Sequence, residues 1–526
     1  MKRILLLASL IGLITFASCK KDLTVDSKDS LAIIPATTGM LVAFNLPSLM
    51  EKADFDYIKT LDFYQEVMEE AAGENKKLAG ILSDPASSGV DITQKMYLAV
   101  NMDSENSEDV FGGFVLSLNN PTVFEEMVAA SGEGMKIETG SGFKYALGDS
   151  KSIIAWNDQF AIIGGTNSYL DLEKEVTSFF NTTPETSIAQ DKDLQKALSD
   201  VHDISLWMTS NPFADDPNAT FALSMAEIDP AALKDNFVHG YLDFNNGEII
   251  SSSDLYLQKG LTKDLDKIFD DEVNTDYGAY VPKENLLFAF TTAIDVQGID
   301  EILTARPQSK SFLDYSLKQY GLTFTDIANT FGGDILVTGV SPKGAGKPAG
   351  LFAMNIKDDT KLMDFINLAL ENDILVADGK NVYKLNNELG INGMTNQVDL
   401  EVSFPDGSPR LVIQDDKIFI TGSTELFGMI QNGGYANADQ AGDDIPNLLS
   451  KHIFGGFFAL KAIQQYDENI EKIFFEQMAV KIDRKHGDMN LELADKSTNA
   501  LRQLFEMANE GYMNRNREAM SEPEAL

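Results

Sequence analysis

Short apolar runs dominate the hydrophobic pattern of this chain and predict β-strands. In the first half, the run 40–46 follows Pro35, and in the second half the run 285–292 follows Pro282. Proline is tolerated at the first residue of a strand, because that residue need not donate to the ladder. Further strands are predicted at residues 96–102, 113–118, 153–156, 160–163 and 204–209, and at 334–340, 349–356, 411–413, 418–421 and 453–460.

Two segments follow a helical period instead, at residues 121–130 and 359–370. Their apolar positions are Phe124, Met127 and Val128 in the first segment and Leu362, Phe365 and Ile366 in the second. This spacing places the apolar side chains on one side of a helix. Strand hairpins interrupted by helices predict an α+β fold, with mainly antiparallel sheets and helices packed on one face.

The two halves show the same order of predicted elements. Each half contains a tight hairpin followed by a helix, and each closes on a second hairpin. The matching turns are Asn157-Asp158 and Asp415-Asp416, then Asn246-Gly247 and His486-Gly487. Asn-Gly suits a type I′ turn, because both central residues of that turn need a positive φ. We therefore predict an internal duplication.

Composition suggests where the repeats begin and end. Residues 270–276 are polar and acidic, as expected of a linker, and separate a first α+β repeat at 30–268 from a second at 277–511. Residues 19–29 are predicted to form a short tether, and residues 512–526 a flexible tail.

The N-terminus predicts a signal peptide over residues 1–18. Lys2 and Arg3 precede the apolar run 4–16, which is shorter than the roughly 20 residues of a transmembrane helix but suits a signal-peptide core. The run leads into Phe16-Ala17-Ser18-Cys19, which is similar to a bacterial lipobox, with Phe16 where leucine is usual. An ordinary secretory peptide with a chance cysteine is the alternative.

Cys19 is the only cysteine of the chain, so a disulfide within the chain is impossible. We predict cleavage before Cys19 and a lipid on its thiol, since two or more acyl chains anchor a protein stably. Membrane lipid is then the first predicted partner, with Lys20 and Lys21 at the headgroups. No aspartate follows Cys19 directly, since the next residue is Lys20, and by resemblance to lipoprotein sorting rules this predicts the outer membrane of the cell envelope.

The charge balance excludes one class of partner. The chain has 81 acidic and 42 basic residues and a net charge of −39. Such an excess repels phosphate backbones, so we expect no nucleic-acid partner. A hydrophobic content of 44% is ordinary for globular domains.

Two segments resemble catalytic or cofactor motifs only superficially. Gly344-Ala345-Gly346-Lys347 lacks the first glycine and the Ser or Thr of a phosphate-binding loop, and Pro348 follows its lysine. Ser141-Gly142-Phe143-Lys144 fits S-x-x-K without the partner triplets of penicillin-binding enzymes. We interpret both as turns and predict neither catalytic residues nor a cofactor.

Metal ligands are not predicted either. None of His202, His239, His452 and His486 has a second histidine at ligand spacing, although His202 and His452 precede matched strands and could share one kind of site. The acidic segment 270–276 could bind calcium but lacks the glycine and distal glutamate of an EF-hand. Trp156 and Trp207 lie in apolar strands, which favours core packing over ligand stacking.

The lipobox, Ile33-Ile34-Pro35 before Val42-Ala43-Phe44-Asn45-Leu46, and Gly89-Val90-Asp91-Ile92 before Tyr97-Leu98-Ala99-Val100 together resemble a known family. It is a family of Bacteroidetes-type envelope lipoproteins classed as a domain of unknown function. The resemblance covers nearly all of the chain after Cys19. It implies the envelope location and the fold class and supplies no catalytic residues.

These patterns favour a non-enzymatic envelope protein that binds or organises an envelope protein or glycan, through surface formed where its two halves meet. The matched loops differ in charge, since residues 103–109 are acidic while 341–348 contain Lys343 and Lys347. The alternative is a hydrolase of envelope glycan or peptide that uses two carboxylates, whose spatial pairing a sequence does not reveal. A purely structural spacer is the third reading.

Overall fold

In the computed structural model, residues 29–74, 79–80, 83–102, 109–130, 136–214, 216–225, 227–341, 348–386, 409–442, 444–464 and 474–521 are described. Several predicted features lie outside these residues. They are the signal peptide 1–18, Cys19 with residues 20–28 of the tether, most of the loops 103–109 and 341–348, and the segment Gly344–Lys347 that resembles a phosphate-binding loop.

The chain divides into two compact units. The first unit runs up to Phe221 and includes Leu233–Tyr256 and the residues from Asp495 onward. The second unit consists of Ala222–Ala232 and Leu257–Ala494. The units therefore differ from the predicted repeats, because residues 257–268 belong to the second unit and residues 495–511 to the first.

The described residues of the first unit form ten strands, all paired antiparallel, in the order β4-β5-β6-β7-β3-β2-β1-β8-β9-β10. The strands are β1 Met40–Phe44, β2 Met96–Met102, β3 Val110–Ser117, β4 Ile137–Thr139, β5 Lys144–Asp149, β6 Ser152–Trp156, β7 Phe160–Thr166, β8 Ile204–Thr209, β9 Phe237–Asn245 and β10 Glu248–Tyr256. Its helices are Leu46–Ala53, Phe55–Ile58, Asp62–Glu74, Pro121–Ala130, Leu172–Phe180, Lys192–Ala197, Asn211–Ala214 and Ala500–Ser521. A further helix, Pro217–Met225, spans the boundary at Phe221.

The core of the first unit lies between its sheet and the helix Leu172–Phe180. Burial alternates along β1, where Leu41 and Ala43 are buried and their neighbours are half-buried. This period of two directs one set of side chains to the core. Val176 and Phe179 of the helix join the same cluster. Trp156 and Trp207 are both buried, as core packing predicts.

In the second unit, the part that the structure describes also has ten antiparallel strands, in the order β14-β15-β16-β17-β13-β12-β11-β18-β19-β20. The strands are β11 Leu286–Ala293, β12 Phe331–Val340, β13 Ala349–Ile356, β14 Leu375–Gly379, β15 Val382–Leu385, β16 Arg410–Gln414, β17 Lys417–Thr421, β18 Phe454–Phe458, β19 Phe475–Ile482 and β20 His486–Leu493. Its helices are Lys259–Ile268, Val296–Thr304, Pro307–Leu317, Phe324–Thr330, Asp359–Glu371, Thr424–Gln431, Asp444–Ser450 and Leu460–Gln464.

Both units have one strand order, since each strand of the first unit corresponds to the strand numbered ten higher in the second. The registers match as well. Phe44 pairs with Ile204 at one end of β1, and Thr292 pairs with Phe454 at the same end of β11. The α+β class with antiparallel sheets is confirmed, whereas the duplication that would explain the shared strand order stays a prediction.

Two predicted turns differ from expectation. Gly247 has a φ of 70°, but Asn246 is not left-handed and forms an isolated bridge with Asn499 instead, so the turn is not type I′. In the second unit the turn lies at Arg484-Lys485, because Asp483 N–H donates to the carbonyl of His486 and Gly487 already pairs with Ile482.

The acidic segment 270–276 is not a solvated linker. Val273 is 5% exposed and belongs to the core of the second unit. Thr275 donates its N–H and its hydroxyl to Asp334 over 2.8 and 2.7 Å. Buried carboxyl groups need such donors, and burial raises the pKa of Asp334.

The helix Ala500–Ser521 continues through most of the segment 512–526, for which a flexible tail was expected. Residues 512–521 contain neither glycine nor proline, so nothing in their backbone interrupts a helix that begins upstream. No helix in the described part of the chain is both long and apolar enough to cross a membrane.

Candidate functional site

The first unit contains a polar recess of about 560 Å³. All side chains that line it carry polar or charged groups: Ser48, Glu51, Lys52, Asp54, Asn246, Ser497, Thr498, Asn499 and Arg502. They come from the helix Leu46–Ala53, the turn between β9 and β10, and the start of the helix Ala500–Ser521. A volume of this size lies within the range of roughly 300–1,000 Å³ for small-molecule sites.

The helix Leu46–Ala53 forms one wall of the recess. Its apolar side is buried through Leu46, Leu49, Met50 and Ala53. Asn45 caps its N-terminus, where the side-chain oxygen accepts the N–H of Ser48 over 3.4 Å. The helix ends at Asp54, whose φ of 56° is left-handed, a conformation that aspartate tolerates better than most residues. Ser48 and Lys52 therefore lie one turn apart beside the recess.

Asp203 holds the side chains of Ser48 and Lys52 in place through hydrogen bonds. It is 1% exposed, and its carboxylate accepts the Ser48 hydroxyl over 2.5 Å and the Lys52 ammonium over 2.6 Å. The N–H of Phe244 donates a third hydrogen bond over 2.7 Å. A buried carboxylate is tolerated when donors satisfy it in this way.

The opposite wall is the segment between Asp495 and the helix that Asn499 caps. The Asn499 oxygen accepts the N–H of Leu501 over 2.9 Å, and its amide nitrogen donates to the carbonyl of Phe244 over 2.9 Å. The Ser497 hydroxyl donates to Asp495 over 2.6 Å. This bond, followed by one from Thr498, holds the pKa of Asp495 well below its usual range.

Gly247 lets the β9–β10 turn approach this wall closely. Its N–H donates to the carbonyl of Thr498 over 3.0 Å. A Cβ atom at Gly247 would lie 2.5 Å from Cα of Lys496, which is too close for any side chain. Only glycine therefore permits this contact at a φ of 70°.

Arg502 closes one end of the recess. Its Nη1 lies 2.8 Å from the Asp54 carboxylate, and its guanidinium carbon lies 3.8 Å from the centre of the Tyr57 ring. Its Nε lies 3.6 Å from Glu506. Burial, together with the charge of Glu506, raises the pKa of Tyr57. Ion pairing and stacking on the ring hold the guanidinium in one orientation.

The second unit has apolar residues at the matching positions. Ile453 corresponds to Asp203, because each accepts the same main-chain hydrogen bond at the end of the first strand of its unit. The Asp203 carbonyl accepts the N–H of Asn45, and the Ile453 carbonyl accepts the N–H of Ala293, both over 2.8 Å. Counted from the helix N-cap, Gly298 and Ile302 stand where Ser48 and Lys52 stand in the first unit. The fold itself therefore does not require the charged network.

The four histidines pair with carboxylates rather than with each other. His202 Nδ1 lies 2.8 Å from Asp243, and His452 Nδ1 lies 3.0 Å from Asp483. The two pairs are equivalent in position. His202 lies two residues before Ile204, which pairs with Leu242 next to Asp243. His452 lies two residues before Phe454, which pairs with Ile482 next to Asp483. His239 lies 3.4 Å from Asp254, and His486 lies 3.0 Å from Asp488.

No group of three His, Cys, Asp or Glu side chains that could hold a metal ion occurs among the described residues. The acidic segment 270–276 considered for calcium lies within this described part. In the S-x-x-K segment, Gly142 has a φ of 85°, so a turn leads into β5. Lys144 pairs with Glu125 over 2.6 Å rather than with a serine.

Of the residues in the recess, sequence reasoning had singled out only Asn246, as part of a turn. The two walls are separated by more than 440 residues along the chain, so no local spacing joins them. One signal was available, since aligning β8 with β18 sets Asp203 against Ile453 and reveals a charge at an apolar position.

The sequence profile of the family described as "Domain of unknown function (DUF4836)" matches residues 31–388, more than half of the chain. The chain belongs to this family. The match includes the first wall of the recess and Asp203, whereas Asp495 to Arg502 lie beyond its end.

No functionally curated protein matches the chain. Among solved structures, crystal forms I and IV of TP0453 are similar at 12% sequence identity. Form I covers 44% of this chain and 79% of its own, with a TM-score of 0.25, and form IV covers 43% and 80%, with a TM-score of 0.26.

Proposed function

We propose that this family member is an exported lipoprotein of the cell envelope, anchored through lipid on Cys19, and that its folded part acts by binding a partner in the polar recess. The apolar run 4–16 and the sole cysteine at its end support the anchor. Lys20, rather than an aspartate, directly follows Cys19, which favours the outer membrane.

The Asp203 network carries the binding proposal. Buried charged groups are costly, and apolar residues of similar volume often replace them at no loss of stability. The second unit, with Ile453 at the matching position, has that apolar solution. The presence of Asp203, Ser48 and Lys52 beside a recess is therefore explained better by a ligand than by folding.

Preorganisation of the lining residues supports the same proposal. Lys52, Asn499 and Arg502 are each held by a hydrogen bond or ion pair of 2.6–2.9 Å. A site whose side chains are already oriented loses less conformational entropy when a ligand binds.

The alternative function, a carboxylate-based hydrolase, would rest on Glu51 and Asp54, which both line the recess. Such an enzyme needs one carboxyl group that holds a proton and a second that stays ionised. Both oxygens of Asp54 are already engaged, since Oδ2 forms an ion pair with Arg502 over 2.8 Å and Oδ1 accepts the N–H of Tyr57 over 3.4 Å. These contacts favour a binding role over an acid–base role for Asp54.

Photocrosslinking in intact cells tests the proposal. A photoreactive amino acid is placed at Ser497, beside the recess, and at Tyr169, which is 90% exposed in the same unit and serves as the control. We expect an adduct from position 497 that mass spectrometry identifies and that Arg502→Lys removes. Equal adducts from both positions, or an adduct indifferent to Arg502→Lys, would contradict binding in the recess.

Turnover distinguishes the alternative. If the purified full chain cleaves envelope glycan or peptide, and Glu51→Gln abolishes cleavage while the structure is retained, the hydrolase replaces the binding proposal.

A further inference from the structure

We propose that the ligand of the recess is a neutral saccharide. This inference rests on the proposed binding function and adds the chemical class of the ligand. It is carried by two features of the recess: the pairing of its cations with carboxylates, and the mixture of its hydrogen-bond donors and acceptors.

Both cations in the recess are already paired with carboxylates, which disfavours an anion. Lys52 lies 2.6 Å from Asp203, and Arg502 lies 2.8 Å from Asp54. Glu51 adds a further carboxylate to the lining. A phosphate or carboxylate ligand would have to displace one of these partners and would meet the repulsion of the other carboxylates. A neutral ligand meets neither obstacle.

The lining residues require a ligand that both donates and accepts hydrogen bonds. The Ser48 and Ser497 hydroxyls donate to Asp203 and Asp495, so each presents only acceptor lone pairs to a ligand. Lys52 and Arg502 present the donors that their carboxylate partners leave free. The Asn246 amide offers both kinds of group.

Sugar hydroxyls meet this requirement, because each donates one hydrogen bond and accepts others. Every lining side chain carries a polar or charged group, so a long aliphatic ligand would cover these donors and acceptors without satisfying them. Asp54 holds the Arg502 guanidinium over 2.8 Å and the Tyr57 ring holds it at 3.8 Å, so its remaining N–H donors keep a fixed orientation toward such hydroxyls.

Saturation-transfer difference NMR tests this with the full chain and three probes. The probes are the neutral oligosaccharides released from the cell's own envelope, the peptides of the same preparation, and inorganic phosphate. We expect transfer to the ring protons of the neutral oligosaccharides. Asn246→Ala and Arg502→Lys should weaken binding at least tenfold, while Lys192→Ala, an exposed residue of the same unit, leaves it unchanged.

Each result has one meaning. No transfer to the neutral oligosaccharides, or equal transfer in all variants, overturns the saccharide assignment. Transfer to the peptides, or competition by phosphate, that depends on Asn246 and Arg502 also overturns it but leaves the binding function in the recess intact. Loss of the crosslink specificity at Ser497 would remove the binding function itself.

Discussion

Asp203 and Ile453 occupy the same position in the two units, each directly before the strand that pairs with the first strand of its unit. Both are buried, at 1% and 6% exposure. Asp203 gathers three donors, from Ser48, Lys52 and Phe244. The same fold therefore accommodates either a charged network or an aliphatic side chain at this position. Substitutions can thus remove the network without removing the fold.

Asp203→Asn should destabilise the first unit by about 1–3 kcal/mol, because Lys52 loses its buried counter-ion while remaining 27% exposed. The double variant Asp203→Ile with Lys52→Ile, which imitates Ile453 and Ile302, should lose less than the sum of the two single variants. Urea unfolding followed by tryptophan fluorescence measures this cleanly, since both tryptophans, Trp156 and Trp207, lie in the first unit.

The Lys59–Asp56 pair gives a matched control on the surface. Asp56 is 92% exposed in its side chain, so Asp56→Asn should cost less than about 0.5 kcal/mol. If Asp203→Asn lowers the free energy of unfolding as little as this control does, the hydrogen bonds of Asp203 to Ser48 and Lys52 do not stabilise the first unit as their short distances indicate.

Gly247→Ala should destabilise the first unit by about 2–4 kcal/mol, because it adds a steric clash to the cost of a left-handed alanine. The new Cβ would lie 2.5 Å from Cα of Lys496. Gly142→Ala is the control, since Gly142 has a φ of 85° but no atom within 4 Å of the new Cβ, and we expect about 1 kcal/mol. Equal losses in the fluorescence-detected unfolding of both variants would show that the turn can withdraw from Lys496.

Most strands could be predicted from their apolar runs, and four could not. Residues 96–102, 349–356 and 204–209 were predicted with the bounds that the structure has. The strands Ile137–Thr139, Leu375–Gly379 and Val382–Leu385 were missed, and Lys144–Asp149 was expected only as a strand that follows the turn at Gly142. In Leu375–Gly379 only Leu375 is buried, so its sequence has no continuous apolar signal.

The recess could not be predicted, because its two walls meet only in the folded chain. Residues 48–54 form part of an ordinary amphipathic helix, and 495–502 form a capped helix start. Neither segment has a motif of its own. An aspartate beside a strand, such as Asp203, is also unexceptional in sequence. Only its exposure of 1% in the structure shows that it is the buried acceptor of several hydrogen bonds.

Acid should weaken the first unit through Asp495. Hydrogen bonds from Ser497 and Thr498 lower the pKa of this group in the folded chain, so the unfolded chain takes up the proton first as the pH falls. The stabilisation is therefore complete above the unfolded pKa of about 3.9 and is lost progressively below it. We expect the difference in unfolding free energy between the natural chain and Asp495→Asn to shrink between about pH 4 and pH 2.

Ser497→Ala isolates the cause, because the Ser497 hydroxyl contributes the largest lowering of the Asp495 pKa. When Ser497→Ala is present, the difference in unfolding free energy that Asp495→Asn causes should change less with pH. A difference that stays constant from neutral to acid pH would mean that the Ser497 and Thr498 bonds do not persist in solution.

Finally, Cys19 should carry lipid. The residues before it form a charged start and a short apolar core, and no other cysteine competes for the modification. Mass spectrometry of the N-terminal peptide from membranes should show a chain that begins at Cys19 with added acyl mass. Cys19→Ser should release the protein from the membrane pellet while its fluorescence-detected unfolding stays unchanged, because the contacts that the structure shows within the first unit involve residues from 29 onward. An unmodified Cys19 in protein that still sediments with membranes would contradict lipid anchoring and would direct attention to another membrane contact.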